Sequence, residues 1–175
     1  ANLEIAVTAD AYYHIDEISL PPLVLLPTNP VHVTFLLSAV TNSQSVSATF
    51  AEDVTSDVPH WWLAQYHAGT NFTAMVVEDL DGDGFSGAEE YVALTDPSAS
   101  NEYLRLDTSV AALTPGQVSL SWQADPSRRY DLEWAPGMGE TFAVLESNLI
   151  SSPVLAPLSE TNQVQQYRIR ARIPE

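Results

Sequence analysis

The stretch around which the chain is organised runs Asp79-Leu80-Asp81-Gly82-Asp83-Gly84-Phe85-Ser86-Gly87-Ala88-Glu89-Glu90. It fills every specified position of the calcium-loop pattern D-x-[DN]-x-[DN]-G-x5-E. Such loops bind the ion through carboxylates at positions 1, 3 and 5, a backbone carbonyl at position 7 and a bidentate carboxylate at position 12. The stretch therefore predicts a Ca²⁺ site.

Each position of the pattern has a residue of the required chemistry. A glycine, Gly84, occupies position 6, where the chain must turn sharply. Gly87 at position 9 has no side chain, so we expect a water molecule to provide that ligand. The predicted protein ligands are Asp79, Asp81, Asp83, the backbone carbonyl of Phe85, and Glu90.

An acidic surface turn is the simpler interpretation of the same residues, because Asp and Gly are ordinary turn residues. It accounts for the glycines, but it leaves Glu90 at position 12 as a coincidence. It also leaves three carboxylates close together without a neighbouring cationic side chain. We therefore favour calcium.

The residues flanking the loop add further motifs. These are Pro59-His60-Trp61-Trp62 before it, Glu89-Glu90-Tyr91 and Thr95-Asp96-Pro97 at its end, and Tyr167-Arg168-Ile169-Arg170 near the end of the chain. Together with the loop they resemble a segment of secreted bacterial proteins in which a tryptophan-bearing helix precedes a DxDGDG loop similar to thrombospondin type 3 and dockerin repeats, and a fibronectin type III-like module follows. The resemblance departs at Ala93-Leu94 and Gly87, and it implies a secreted, calcium-stabilised architecture without a defined activity.

The charge of the chain is strongly negative and unevenly distributed. Its 175 residues include 23 acidic and 6 basic residues, for a formal net charge of −17. Lysine is absent and the first arginine is Arg105. Without a basic surface we expect no nucleic-acid partner, and no apolar run reaches the length of a membrane span.

The absence of cysteine excludes disulfides and thiol chemistry. Calcium would then be the cross-link available in an extracellular or cell-surface setting. The start at Ala1-Asn2 fits either a mature secreted product or a fragment of a longer protein.

Residues 1–58 predict a β region. Leu3, Ile5 and Val7 alternate with polar or small residues, and proline clusters separate the apolar runs. These runs fit one sheet of a β-sandwich. Alternatively, residues 1–26 form an extended arm that pairs with another subunit, through Leu3, Ile5, Val7 and the apolar run Leu23-Val24-Leu25-Leu26.

Residues 59–102 predict two short helices flanking an EF-hand-like loop. The first helix spans 59–69 and the second about 87–94, with residues 72–77 between them as a strand or a packed segment. Trp61 and Trp62 would act as packing anchors or, as an alternative, as a sugar-stacking platform.

Residues 103–175 predict a fibronectin III-like β module. Val118, Leu120 and Trp122, then Tyr130, Leu132 and Trp134, read as a hairpin with one buried face around the Asp125-Pro126-Ser127 turn. The final strand places Tyr167, Ile169, Ala171 and Ile173 inward. Its outward residues Arg168, Arg170 and Arg172 form either a solvated edge or a surface that docks an acidic neighbour.

The sequence carries no recognisable catalytic motif, and its four histidines are scattered. The fold class expected is mainly β, a β-sandwich of immunoglobulin or fibronectin III type with the calcium loop. The function expected is a non-enzymatic structural subunit that self-associates into a filament, sheath or surface layer. The alternative is a carbohydrate-binding or adhesive module with a glycan partner, recognisable by solvent-facing Trp61, Trp62 or Trp134.

Overall fold

A computed structural model describes residues 2–28, 30–38, 40–110, 116–158 and 164–174. The chain divides into two compact units, residues 1–76 and residues 77–175. We refer to them as the N-terminal and C-terminal units. The division falls inside the segment 59–102, and the whole acidic loop, residues 79–90, belongs to the C-terminal unit.

The N-terminal unit contains three small antiparallel sheets. β1 (Leu3–Thr8) pairs with β4 (His32–Leu37), with Ile5 opposite Phe35. β2 (Tyr13–Leu20) lies between β3 (Leu23–Leu25) and β5 (Ser47–Glu52). The short strands β6 (Val54–Thr55) and β7 (Val58–Pro59) pair with each other.

The strands within residues 1–26 pair inside the chain. The first of them lies against β4, and β2 is the central strand of its sheet with the fully buried Ile15 and Ile18. This arrangement corresponds to the sheet interpretation of the segment.

Two helices complete the N-terminal unit. α1 (His60–Tyr66) buries Trp62 and Leu63, and α2 (Phe72–Met75) buries Met75. Of the two alternatives predicted over 72–77, the strand is wrong because Phe72–Met75 form a single helical turn, whereas the packed segment agrees with the burial of Met75 and Val76. Asn71 explains the helical turn, because its side chain accepts a hydrogen bond from the backbone N–H of Ala74 (3.3 Å) and caps the helix. The first helix is also shorter than the predicted span 59–69.

The C-terminal unit begins with the loop and α3 (Gly87–Ala93), followed by two three-stranded antiparallel sheets. One sheet has β9 (Gln117–Ser121) between β8 (Asp107–Val110) and β12 (Val154–Pro157). The other has β10 (Arg129–Ala135) between β11 (Ala143–Leu149) and β13 (Gln166–Arg172).

Side chains from both sheets form one core in this unit. Val118, Leu120 and Ala156 from the first sheet cluster with Leu132 from the second, and Ile169 packs against them. The buried face predicted for the two neighbouring runs is therefore present, but the predicted hairpin is wrong. β9 and β10 lie in different sheets, so the turn between them carries the chain across the core. The alternation of apolar residues does not distinguish a hairpin within one sheet from a turn that crosses between two sheets, since both bury the same face of each strand.

The final strand follows its predicted alternation up to its end. Tyr167, Ile169 and Ala171 are half-buried, whereas Ile173 lies beyond β13 and is 38 % exposed, which corrects its inward placement. The structure is mainly β with several sheets, consistent with a β-sandwich. Among the described residues no helix is long and apolar enough to cross a membrane.

Candidate metal centre

The acidic loop folds through hydrogen bonds from its own backbone to its aspartates. Asp79 Oδ1 accepts from the N–H groups of Gly82 (2.8 Å) and Asp83 (3.2 Å), and its Oδ2 accepts from Gly84 (2.9 Å). Asp81 Oδ1 accepts from Asp83 (3.1 Å), and Asp83 Oδ1 accepts from Phe85 (2.9 Å). Each aspartate thus turns the backbone around its own carboxylate.

Two glycines allow these turns. Gly82 has φ of 81° and Gly84 has φ of 101°, in the region that side chains with a Cβ rarely adopt. The turns bring one carboxylate oxygen from each of Asp79, Asp81 and Asp83 within 4.8 Å of one another. Oxygens this close could hold a metal ion between them.

The helix that follows is held in place at its first residue. Ser86 and Glu89 form a reciprocal capping box, in which Glu89 Oε2 accepts from both the Ser86 N–H (2.9 Å) and its hydroxyl (2.7 Å). These bonds lower the pKa of Glu89. Gly87 N–H donates to the carbonyl of Glu78 (2.9 Å), so α3 starts beside the loop.

Glu90 is directed inward from this helix. Its side chain is almost completely buried (1 % exposed), which is unusual for a carboxylate. Among the described residues, the side chain of Glu90 has only one hydrogen-bond partner, the Thr95 hydroxyl, which donates to Oε1 over a long distance (3.5 Å). Glu90 Oε2, Asp81 Oδ2 and Asp83 Oδ2 are buried and have no hydrogen-bond partner in the same part of the chain.

The electrostatic environment of Glu90 is unfavourable for its charge. The pKa of Glu90 is raised from 4.5 to about 7. Burial of the side chain is the largest cause, and the neighbouring carboxylates of Asp81, Asp83 and Asp79 also contribute. Burial and three nearby like charges favour the neutral form of Glu90, and a bound cation would favour the ionised form.

Three of the five predicted ligands, Asp79, Asp81 and Asp83, form one cluster in the described structure. Glu90 lies outside that cluster, but the charges of the three aspartates contribute to its raised pKa. The fifth, Phe85, lies in the same turn through its N–H bond to Asp83, and its ring stacks on Tyr103 (centroids 6.1 Å apart).

One residue that sequence reasoning did not find supports this site. Arg128 is 7 % exposed, and its guanidinium donates to the backbone carbonyls of Val92 (3.0 Å) and Tyr91 (2.9 Å) at the end of α3. It also lies over the Tyr91 ring, 5.2 Å from the centroid. A cation that binds the last carbonyls of a helix fixes its end, but nothing local in the sequence connects positions so far apart.

The two tryptophans predicted as anchors or as a platform have different environments. Trp62 is buried and packs against Tyr66, with ring centroids 5.0 Å apart. Trp61 is 37 % exposed and its Nε1–H donates to Glu52 (3.1 Å). Trp134 is half-buried. A platform built from both Trp61 and Trp62 is not present.

The three arginines of the final strand contact acidic side chains within their own sheet. Arg168 pairs with Glu133, and Arg170 lies 3.7 Å from the same carboxylate. Arg172 pairs with Asp131 at 3.2 Å. These contacts form an ion-pair ladder between β10 and β13.

The predicted apolar assembly residues differ in exposure. Ile5, Val7 and Leu25 are half-buried. The exposed fractions of Leu3, Leu23 and Val24 are about one half, at 50 %, 52 % and 50 %, and Leu26 reaches 75 %.

The N-terminal unit contains a polar pair that the sequence did not predict. His14 Nδ1 lies 2.7 Å from Asp53 Oδ1, across the β2–β5 pairing. Its other ring nitrogen has no hydroxyl partner among the described residues, so the pair does not extend to the nucleophile that a catalytic triad requires.

Comparison of the chain with protein-family models, with curated proteins and with solved structures finds no match.

Proposed function

We propose that the chain is a calcium-binding structural module in which the ion joins the loop to α3. The observation that carries this proposal is the Glu90 carboxylate, which is 1 % exposed and forms no ion pair with any described residue, while burial and the nearby Asp81, Asp83 and Asp79 raise its pKa. A buried charge with no compensating partner costs several kcal/mol. Calcium coordination would offset that cost.

The donor set favours calcium over other metals. All of the candidate ligands are oxygens, and three aspartates with a fourth carboxylate supply high negative charge in a flexible loop. Ca²⁺ accepts six to eight oxygen ligands in such loops, while Mg²⁺ requires a smaller octahedron and Zn²⁺ prefers nitrogen or sulfur. The residues present therefore fit calcium. When bound, the ion supplies charge neutralisation and a cross-link.

The simpler interpretation, an acidic surface turn, accounts for part of the loop. The bonds from backbone N–H groups to Asp79, Asp81 and Asp83 are those of ordinary Asx turns. Such turns do not require a buried carboxylate four residues into the next helix. Glu90 is the residue that distinguishes the two interpretations.

The proposed setting is extracellular, in a secreted or cell-surface protein. Calcium sites of extracellular modules bind with dissociation constants of about 10⁻⁴–10⁻³ M, which suits a loop with a glycine at position 9. A chain without cysteine has no disulfides to supply this stabilisation. The two sheets of the C-terminal unit would then form a fibronectin III-like module fastened to the calcium loop.

Thermal unfolding with and without calcium tests the proposal. We expect calcium to raise the melting temperature of the protein after all metal has been removed on a chelating resin. Magnesium at the same concentration is the control and should have a much smaller effect. An identical melting curve with and without calcium would contradict the proposal.

We also propose that the module self-associates as a non-enzymatic subunit of an extracellular assembly. Support comes from β3, an edge strand whose Leu23 and Val24 are half-exposed, and from Leu26 just beyond it. Edge strands with exposed apolar side chains tend to pair with another chain. The Arg168, Arg170 and Arg172 ladder is already paired within its sheet, so it supports this role less.

Sedimentation velocity and electron microscopy test self-association. We expect the wild-type protein to form oligomers or filaments and the exposed-site variant Leu26→Lys to remain monomeric. Thr41→Lys, at another exposed position of the same unit, is the control for added charge. Monomeric wild-type protein, with and without calcium, would contradict the assembly proposal but not the calcium site.

A further inference from the structure

A polar pocket of about 330 Å³ lies in the C-terminal unit, separate from the candidate ligand set. It is formed between the end of α3 and the start of β8, with a contribution from the residue that follows Trp122. Its polar lining residues are Thr95, whose hydroxyl donates to Glu90, and Asn101, Glu102, Tyr103, Arg105, Asp107 and Gln123. The volume is at the lower end of the range of small-ligand pockets, about 300–1,000 Å³.

The hydrogen-bonding groups of this pocket are largely uncommitted. The side chains of Asn101, Glu102 and Gln123 make no hydrogen bond or ion pair with any described residue. An amide supplies both donors and acceptors, and a carboxylate supplies acceptors. Three planar polar groups are thus available around one small volume.

The charges of the pocket restrict its ligand. Arg105 is paired with Asp107 at 2.9 Å, which leaves the Glu102 carboxylate as the uncompensated charge. In a chain with a net charge of −17, a phosphate or carboxylate ligand would be repelled. None of the described carboxylates at the pocket joins a metal-sized cluster. A neutral ligand with several hydroxyl groups fits these restrictions.

An aromatic ring completes the arrangement. Tyr103 is 39 % exposed, and its ring is held by stacking on Phe85 at 6.1 Å with an interplanar angle of 17°. A fixed ring beside amide and carboxylate groups suits a ligand that has both C–H faces and hydroxyl groups. We propose that this pocket binds one neutral sugar residue, with Asn101, Glu102 and Gln123 bonding its hydroxyls and Tyr103 contacting its ring.

The pocket is not lined by Trp61, Trp62 or Trp134, the residues that the sequence suggested for glycan binding. Sequence reasoning had no signal for this pocket, because Gln123 is distant in the chain from residues 101–107 and only the packing of β8 against β9 brings them together.

The test is a titration of isotope-labelled protein with the methyl glycosides of glucose, galactose, mannose and N-acetylglucosamine, followed by NMR. We expect at least one glycoside to shift the side-chain amide signals of Asn101 and Gln123 and the ring signals of Tyr103. The exposed-site variants Asn101→Ala and Gln123→Ala should each weaken binding about tenfold, the effect of losing one or two hydrogen bonds. Gln44→Ala, an exposed amide in the N-terminal unit, is the matched control and should bind as the wild type does.

Three results would overturn the proposal. The first is the absence of any shift at these residues with all four glycosides. The second is unchanged affinity in both pocket variants. The third is tighter binding of inorganic phosphate than of any glycoside at the same signals. Calcium content is measured on the same samples, so that failure of the metal site and failure of the sugar site are distinguished.

Discussion

At the scale of single residues, Glu90 determines the behaviour expected of the site. Its carboxylate is buried with two aspartate oxygens, Asp81 Oδ2 and Asp83 Oδ2, which also have no hydrogen-bond partner among the described residues. Removing this one charge should therefore raise the melting temperature of the metal-free protein and lower that of the calcium-loaded protein.

The first prediction concerns Glu90→Gln. Without calcium at pH 8 the variant should melt at a higher temperature than the wild type, because a buried charge is replaced by a neutral amide of similar shape. Each kcal/mol gained corresponds to about 4–8 °C for a unit of this size. With saturating calcium the variant should be the less stable protein, and its calcium affinity should fall by about two orders of magnitude, which corresponds to about 3 kcal/mol.

The control for this prediction is Glu146→Gln, which removes the same charge from an exposed position on β11. It should leave both melting temperatures and the calcium affinity close to those of the wild type. A Glu90→Gln protein that behaves like Glu146→Gln would show that Glu90 has no part in metal binding.

The second prediction is a pH dependence with opposite signs in the two states. In the metal-free protein the pKa of Glu90 is raised to about 7 from 4.5. The folded state therefore binds the proton more tightly than the unfolded state, so this contribution to stability is present below pH 4.5 and is lost as pH rises towards 7. Calcium requires the ionised carboxylate, so calcium-dependent stabilisation should grow over the same pH interval.

Melting temperatures recorded between pH 4 and 8 on metal-free and calcium-loaded protein measure both trends. Calcium binding near pH 6 should also release protons, detectable by calorimetry in buffers of different ionisation enthalpy. Glu90→Gln should flatten the metal-free profile. Parallel pH profiles with and without calcium would contradict the assignment of Glu90.

At the scale of elements, the site depends on how firmly α3 is held at both ends. The capping box of Ser86 and Glu89 fixes its start, and the Arg128 guanidinium fixes its end through the carbonyls of Tyr91 and Val92. A seven-residue helix is marginal alone. These contacts therefore keep Glu90 directed towards the loop.

The third prediction follows from the buried arginine. Arg128→Met keeps much of the side-chain volume but removes the bonds to Val92 and Tyr91, leaving both carbonyls without that donor. We expect a loss of about 2–4 kcal/mol in the free energy of unfolding and weaker calcium binding, measured by urea unfolding and calorimetry.

Arg129→Met is the matched control, since among the described residues the Arg129 side chain donates only to carbonyls of its own turn, at Pro126 and Arg128. The free energy of unfolding of this variant should be within about 1 kcal/mol of the wild-type value. Equal losses in the two variants would show that Arg128 has no special role at α3.

Sequence reasoning succeeded where the information is local and failed where it depends on distant contacts. The spacing of Asp79, Asp81, Asp83 and Glu90 predicted a turn and a following helix, because their backbone geometry is determined within twelve residues. The alternation around Leu120 and Leu132 predicted the buried face. It did not predict that β9 and β10 belong to different sheets, which depends on pairing with β12 and β13 far along the chain.

The same limit applies to the buried charges. Glu133 alternates with apolar residues and reads as solvent-facing, yet it is 6 % exposed because Arg168 and Arg170 cover it from the neighbouring strand. At α2, one capping residue outweighed an apolar pattern that resembled a strand. Both corrections come from hydrogen bonds and ion pairs, which hydrophobic periodicity does not encode.

At the scale of the whole molecule, all residues of the proposed calcium site belong to the C-terminal unit, so the two units should respond differently to the ion. The fourth prediction is that calcium increases hydrogen-exchange protection of residues 79–95 and the C-terminal sheets, while β1 to β5 exchange at an unchanged rate. Amide exchange followed by mass spectrometry measures this difference. Uniform protection of both units would contradict a site confined to one of them.

Calorimetric titration of the metal-free protein with calcium, at pH 8 where Glu90 is ionised, tests the central claim most directly. The structure of the loop predicts one calcium ion per chain, a dissociation constant of about 10⁻⁴–10⁻³ M as in other extracellular modules, and loss of the signal in Glu90→Gln. No binding by the wild-type protein, or equal binding by the variant, would show that the loop is an acidic surface turn.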